Sequence, residues 1–421
     1  MRAAAALSRT AEAGVAAAEA ADAAGARLDR KAPGAPCDLA VVFVSAGHLD
    51  DLEDVAAAVE ARLEPGVLIG AVAQGVIGPG EEVESGPGVS VWTAALDAGW
   101  VQPFRAWTMR PSSGGLAVAG WPDTMPGDVT LVLADPYSFP VAEVAERIGE
   151  QRPGQPILGG QLSAGDGRSR FLLDGRVHDD GAVGVVLRDV EVDPVISQGC
   201  RPIGEPFTVT QAVRDRVLEL GGEPATGRLE RVLADLEDSD RALVGRGGLH
   251  LGVVVDDQQD RYETGDFLVR AVLGVEPESG AVTIGDVVPV GATIQFQVRD
   301  AASADADLAA RLGGVGPASG ALLFSCTGRG AGLFGGPDHD VRALEAELGA
   351  EEAVAGAFCA GEVGPVGRRS YLHGFTAAVA VFGARAGSTD PDIDVTAQGG
   401  TDADVEPSID LTTGPGHHAA D

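Results

Sequence analysis

Apolar and polar positions along the chain follow two rhythms. Valine-rich runs at 39–45, 129–135 and 321–326 have the length of buried strands, and each precedes a segment whose apolar residues fall on one helical face, at 49–63, 141–148 and 338–348. A second apolar run then follows, at 68–73, 157–162 and 354–359. Next come a glycine-rich turn and further short strands, at 89–93 in the first stretch, 171–173 and 183–187 in the second, and 370–372 and 375–382 in the third. This alternation predicts an α/β chain with mixed α+β layers, in which one strand-helix-strand-strand unit occurs three times and builds sheets covered by helices. Each middle strand carries a glycine at a matching place (Gly70, Gly159 and Gly356), where the backbone must approach closely or adopt positive φ. If the three units share one topology, the loops after their first and middle strands gather at one sheet edge, where open α/β sheets bind ligands.

The rest of the chain is less regular. Residues 4–28 are rich in alanine and predict a helix, broken by the turn formers of Lys31-Ala32-Pro33-Gly34-Ala35-Pro36. Residues 206–300 predict helices at 211–220 and 227–236 and strands at 251–255, 267–272, 281–284 and 293–298. From 384 to 421 periodicity gives way to Asp, Thr, Gly and Pro, a composition with too little apolar surface to fold. The expected division is a helix and linker (1–36), two associated domains (37–225 and 226–384) and a disordered acidic tail (385–421).

Charge removes several partners from consideration. The 421 residues carry 63 acidic and 30 basic side chains, a net charge of −33, which repels phosphate backbones and anionic lipid. No nucleic acid or membrane partner is expected. No stretch reaches the ~18 apolar residues of a membrane span, and Glu12, Glu19 and Asp22 interrupt any signal-like run, so the expected location is cytoplasmic. Cys37, Cys200, Cys326 and Cys359 show no paired spacing, and the seven histidines show no HxxxH or HExxH motif. Neither a metal nor another cofactor is expected.

Candidate chemistry lies in the loops after strands. Ser325-Cys326-Thr327-Gly328-Arg329-Gly330 follows a strand and precedes a helix, and Arg329 beside exposed backbone N–H groups suits a carboxylate or phosphate as well as it suits a plain surface arginine. Glu362, in a turn, can accept an ammonium group or cap the turn; Arg201, before a proline, can clamp an anion or form an internal salt bridge. Ser45, His48 and Asp135 occupy the first-strand loops of the other two units. Cys326 or Cys359 with His373 as base and Glu362 as orienter makes a cysteine-enzyme constellation, though strand-end cysteines more commonly act as small buried hydrophobes.

Several segments resemble the FIST family (F-box and intracellular signal transduction proteins). Arg261-Tyr-Glu-Thr-Gly-Asp266, Ser325-Cys-Thr-Gly-Arg-Gly330, Phe358-Cys-Ala-Gly-Glu-Val-Gly-Pro365 and Leu372-His-Gly-Phe375 are similar to its C-terminal domain. Ala71-Val-Ala-Gln-Gly-Val-Ile-Gly78, Ala134-Asp-Pro-Tyr-Ser-Phe-Pro140 and Val195-Ile-Ser-Gln-Gly-Cys-Arg-Pro-Ile-Gly204 are similar to its N-terminal domain. The resemblance implies an intracellular sensory module that binds small ligands such as amino acids and acts through a signalling partner. It supplies no catalytic residues, so the chain is expected not to be an enzyme. The expected binding site joins Arg201, Cys326, Arg329, Gly330, Cys359, Glu362, His373, Ser45, His48 and Asp135, with the arginines on a carboxylate and Glu362 on an amine. The alternatives are the cysteine enzyme and a protein-interaction scaffold.

Overall fold

The computed structural model describes residues 1–111, 115–257, 259, 261–383 and 408–411. Two compact units emerge, and they do not follow the order of the chain. The first gathers residues 1–195, 311–372 and the described residues from 377 on; the second gathers 196–310 and 373–376.

The three expected repeats lie in the first unit, apart from residues 373–376 of the third, and share one topology. Strand Leu39–Ser45 pairs in parallel with Val67–Ala73 and antiparallel with the return strand Val89–Ala95. Val129–Ala134 has the same relation to Ile157–Gln161 and Ala182–Arg188, and Gly320–Cys326 to Val354–Cys359 and Thr376–Phe382. A parallel pair needs a long crossover, supplied by helices Leu52–Leu63, Val141–Gln151 and His339–Leu348. The repeated glycines have a common cause. A Cβ would stand 2.5 Å from the Val42 carbonyl oxygen at Gly70, 1.9 Å from that of Val132 at Gly159, and 1.9 Å from that of Leu323 at Gly356. No other residue fits there, because each middle strand passes against the carbonyl of its first strand.

Each repeat completes its sheet with a piece of another. The middle strand of the first repeat pairs with Phe171–Leu173 of the second, that of the second with Gly361–Val366 of the third, and that of the third with Val76–Gly78 of the first. The exchange is cyclic, so no middle strand is left as an open edge. Because first and middle strands run parallel, their following loops leave each sheet at one edge, but there are three such edges on three sheets. A leading strand borders each return strand: Arg2–Ser8, Trp100–Met109 and Val192–Gln198.

The second unit lies in the chain between the leading strand and the first strand of the third repeat. Its strands Thr293–Arg299, Phe207–Val213, Arg216–Leu220, Ala281–Ile284, Phe267–Glu276 and Leu249–Val254 pair in that order, and the last returns to the first, closing a barrel. Val209, Val217, Leu251, Val282, Ile294 and Phe296 fill it, joined by Leu229 and Val232 from helix Ala225–Ala234.

Three expectations change. The alanine-rich start is not one helix: Arg2–Ser8 is a strand and the helix begins at Ala13, because Ala3, Ala4 and Ala5 are fully buried against the first return strand. The helix expected at 211–220 is a hairpin that turns at Arg214, whose φ of 55° no helix continues through. Most of the tail expected to be disordered lies outside the described residues, but Ser408–Asp410 forms a strand against Ala117–Ala119. Among the described residues no helix is long and apolar enough to cross a membrane.

Candidate functional site

Register defines which residues are equivalent. Counting from the three glycine contacts, the equivalent positions at the close of the first strands are Ser45, Asp135 (one past the strand) and Cys326, and three residues further lie His48, Ser138 and Arg329. In the first repeat Ser45 Oγ accepts the Gly88 N–H at 2.9 Å, and His48 is buried with Nε2 lacking a partner among the described residues. In the second, Asp135 accepts the Tyr137 N–H at 3.2 Å and the Ser169 hydroxyl at 2.8 Å, together with the Ser138 hydroxyl. These two residues serve as loop caps.

The third repeat differs in chemistry. Cys326 and Cys359 are register partners on adjacent parallel strands, both buried and neither in a disulfide. The places equivalent to Cys359 hold Ala73 and Leu162, and those equivalent to Glu362 hold Val76 and Phe171. Glu362, fully buried, lies opposite Gly160, where a Cβ would be 2.5 Å from Cys359 Sγ; the glycine makes room for the thiol beside the carboxylate. Burial first, then Glu362 and Cys326, pushes the Cys359 thiol well above its ordinary range.

Arg329 is 1% exposed, so the surface arginine allowed by the sequence is absent. Its Nε and Nη2 donate to Asp340 at 2.7 and 2.9 Å, and its Cζ lies 5.3 Å from the Phe334 ring centre. Nη1 has no partner among the described residues. Burial opposes the charge, yet Asp340 foremost, with Cys326 and Glu362, holds the guanidinium above its usual pKa. The Asp340 carboxyl is conversely held well below the carboxylate range: burial would raise it, and Arg329 outweighs that. Ser325 Oγ donates to the same carboxylate at 3.0 Å. Gly330, at φ 61°, opens a short helix immediately after Arg329, and a Cβ on it would meet the Glu84 carboxylate at 2.8 Å.

Three acids absent from the sequence expectation complete the cluster. Asp340 is one. Glu84 accepts the Ala331 N–H at 2.7 Å, and Glu82 accepts the Val341 N–H at 2.9 Å, so the hairpin contributed by the first repeat caps both helix starts of the third. Glu82 Oε2 has no partner among the described residues, and burial, followed by Asp340, pushes that carboxyl up to about 7. The acid-rich run Glu81-Glu82-Val83-Glu84 was the available signal, but nothing local ties it to residue 340.

Arg201 and His373 belong to the second unit. Arg201 donates to Asp300 at 3.0 Å and also to Asp240, the internal salt bridge that the sequence left open. His373 is buried. A depression in the second unit is lined by Phe207, Val232, Leu236 and Arg231, the last bridged to Glu223. Among the described residues no group of three or more His, Cys, Asp or Glu could hold a metal ion.

The fold is thus a three-repeat body whose third repeat carries a chemically distinct, charged and buried corner. The FIST N domain matches residues 38–223 and the FIST C domain residues 225–365. The uncharacterized protein Rv0628c of Mycobacterium tuberculosis is 44% identical over 372 residues, covering 86% of this chain and 95% of that protein. The uncharacterized protein Mb0898c of Mycobacterium bovis is 43% identical over 370 residues, covering 86% and 94%. The chain belongs to the FIST family.

Proposed function

We propose that the chain is a sensory protein of signal transduction that binds a small ligand, an amino acid in the first instance, at the Arg329–Cys326–Cys359–Glu362 cluster, and that it is not an enzyme. The observation that carries this reading is the Arg329 guanidinium, fully buried and held bidentate by Asp340, with Nη1 left without a partner among the described residues. An unspent donor in a low-dielectric site favours an oxygen acceptor such as a ligand carboxylate. Glu362 provides the charge for an ammonium group. Arg201 drops out of the proposed site, because acids of its own unit already engage it.

A ligand must be admitted by local opening, so binding and conformational change are coupled by necessity. The cysteine-enzyme reading requires a thiolate, and the Cys359 environment works against one.

Thermal denaturation with each amino acid, and with the matching amine that lacks the carboxylate, tests the proposal. A ligand at a hundred times its Kd adds about 2.7 kcal/mol of stability. The expected result is a stabilising amino acid whose amine is inert and whose effect disappears in Arg329→Lys. A flat response to every amino acid would defeat the reading.

A further inference from the structure

We propose that Cys326 and Cys359 form a reversible oxidation site, in which a hydroperoxide oxidises Cys326 and Cys359 resolves the product as a disulfide. The argument begins with the repeats. The place of this pair is held by Ser45 and Ala73 in the first repeat and by Asp135 and Leu162 in the second. The fold itself therefore makes no demand for sulfur there, and a matched pair of thiols calls for a chemical reason.

Geometry permits the bond. The two residues are register partners on parallel strands, and the Thr327 N–H donates to the Cys359 carbonyl at 2.9 Å, which holds the strand ends together. Neighbouring strands run about 4.8 Å apart, inside the roughly 4.4–6.8 Å between Cα atoms that a disulfide spans. Register partners also project to one face of a sheet, so both sulfurs lie on the same side.

The two thiols differ in their surroundings. Cys326 Sγ accepts the Gly328 N–H at 3.4 Å, and the buried Arg329 guanidinium is close enough to interact with its charge. Both contacts favour the thiolate, the form that attacks a peroxide. Cys359, fully buried, instead donates its S–H to the Ala357 carbonyl at 3.6 Å. Cys326 is 6% exposed and directly precedes exposed Thr327, so a water-sized oxidant has little to displace on its way in.

The chemistry closes with the hydroperoxide alone. The Cys326 thiolate attacks one peroxide oxygen, the O–O bond breaks, and the departing alkoxide takes up the proton that the thiol released, leaving a sulfenic acid. The Cys359 sulfur then displaces the sulfenic oxygen, and its proton leaves with that oxygen as water. The pair of thiols loses the electrons that the peroxide gains, and a thiol reductant reverses the change. The site answers to an oxidant, so it stands whether or not an amino acid binds at Arg329.

The test treats the reduced full chain with hydrogen peroxide, unfolds and alkylates it, and maps its peptides by mass spectrometry. The expected product is a disulfide between Cys326 and Cys359, with Cys37 and Cys200 still alkylated and dithiothreitol restoring both missing thiols. This map needs no variant. Cys326→Ser and Cys359→Ala copy the first repeat, where Ser45 and Ala73 pack at the same places. Sulfenic acid trapped with a 1,3-dione is expected on Cys326 in Cys359→Ala at a level at least about tenfold above that on Cys359 in Cys326→Ser. The proposal would be overturned by peroxide that leaves both thiols open to alkylation, by a disulfide that joins other cysteines, or by sulfenic acid forming as readily on Cys359 as on Cys326.

Discussion

At the scale of single residues, Glu82 shows how a carboxylate can help close a fold while opposing it. Its Oε1 accepts the Val341 N–H, but burial and Asp340 raise the group to about 7, against about 4.3 in an unfolded chain. A carboxyl with raised folded pKa binds its proton more tightly when folded, so its contribution is neutral below pH 4 and becomes destabilising as pH climbs toward 7. The full effect is about 4 kcal/mol. Glu82→Gln keeps the acceptor and removes the charge, so denaturant unfolding should show the variant more stable than wild type at pH 8 and equal to it near pH 4. An unchanged pH profile would contradict the burial argument. Only part of this corner was legible in the sequence. Arg329 and Glu362 stand in conspicuous glycine-rich turns, but whether an arginine in such a turn faces solvent or a buried aspartate depends on a helix that begins ten residues later, at residue 339. Glu82 reaches that helix from another repeat altogether.

Among the elements, the parallel strand pairs were legible because each is a local unit: an apolar run, a helical face and a second run that must return beside the first. Gly70, Gly159 and Gly356 even marked the register. The exchanged hairpins were not, since Phe171–Leu173 carries nothing to say whether it pairs with its own repeat or a neighbour's. Alanine also misled: Arg2–Ser8 has helical composition, but a slot against Trp92 and its neighbours accepts only small side chains, and packing overrode propensity. Cyclic exchange predicts shared stability. Amides in the centres of Leu39–Ser45, Val129–Ala134 and Gly320–Cys326 should open with free energies within about 1 kcal/mol of one another in hydrogen exchange, as parts of one cooperative unit. One strand exchanging by several kcal/mol less would mean that its repeat opens alone.

Across the whole molecule, the net charge of −33 sets a self-repulsion that its arginine pairs only partly relieve. Several of those pairs, such as Arg62–Asp22 and Arg168–Asp166, are largely exposed and contribute little. Screening should therefore help more than it harms, and the melting temperature should rise between 10 and 300 mM sodium chloride, estimates chosen to bring the Debye length from about 30 to about 6 Å. A falling melting temperature would put the ion pairs in charge. The barrel inserted into the third repeat has a further consequence. The boundary between the two matched family domains falls near residue 224, inside that insertion and between strands of one barrel. A cut there separates no finished bodies: the N-terminal half loses the Gly361–Val366 partner of its second sheet, and the C-terminal half loses Val76–Gly78. Each half is the other's missing template, so gene rearrangement can shuffle the pair only as a single cassette.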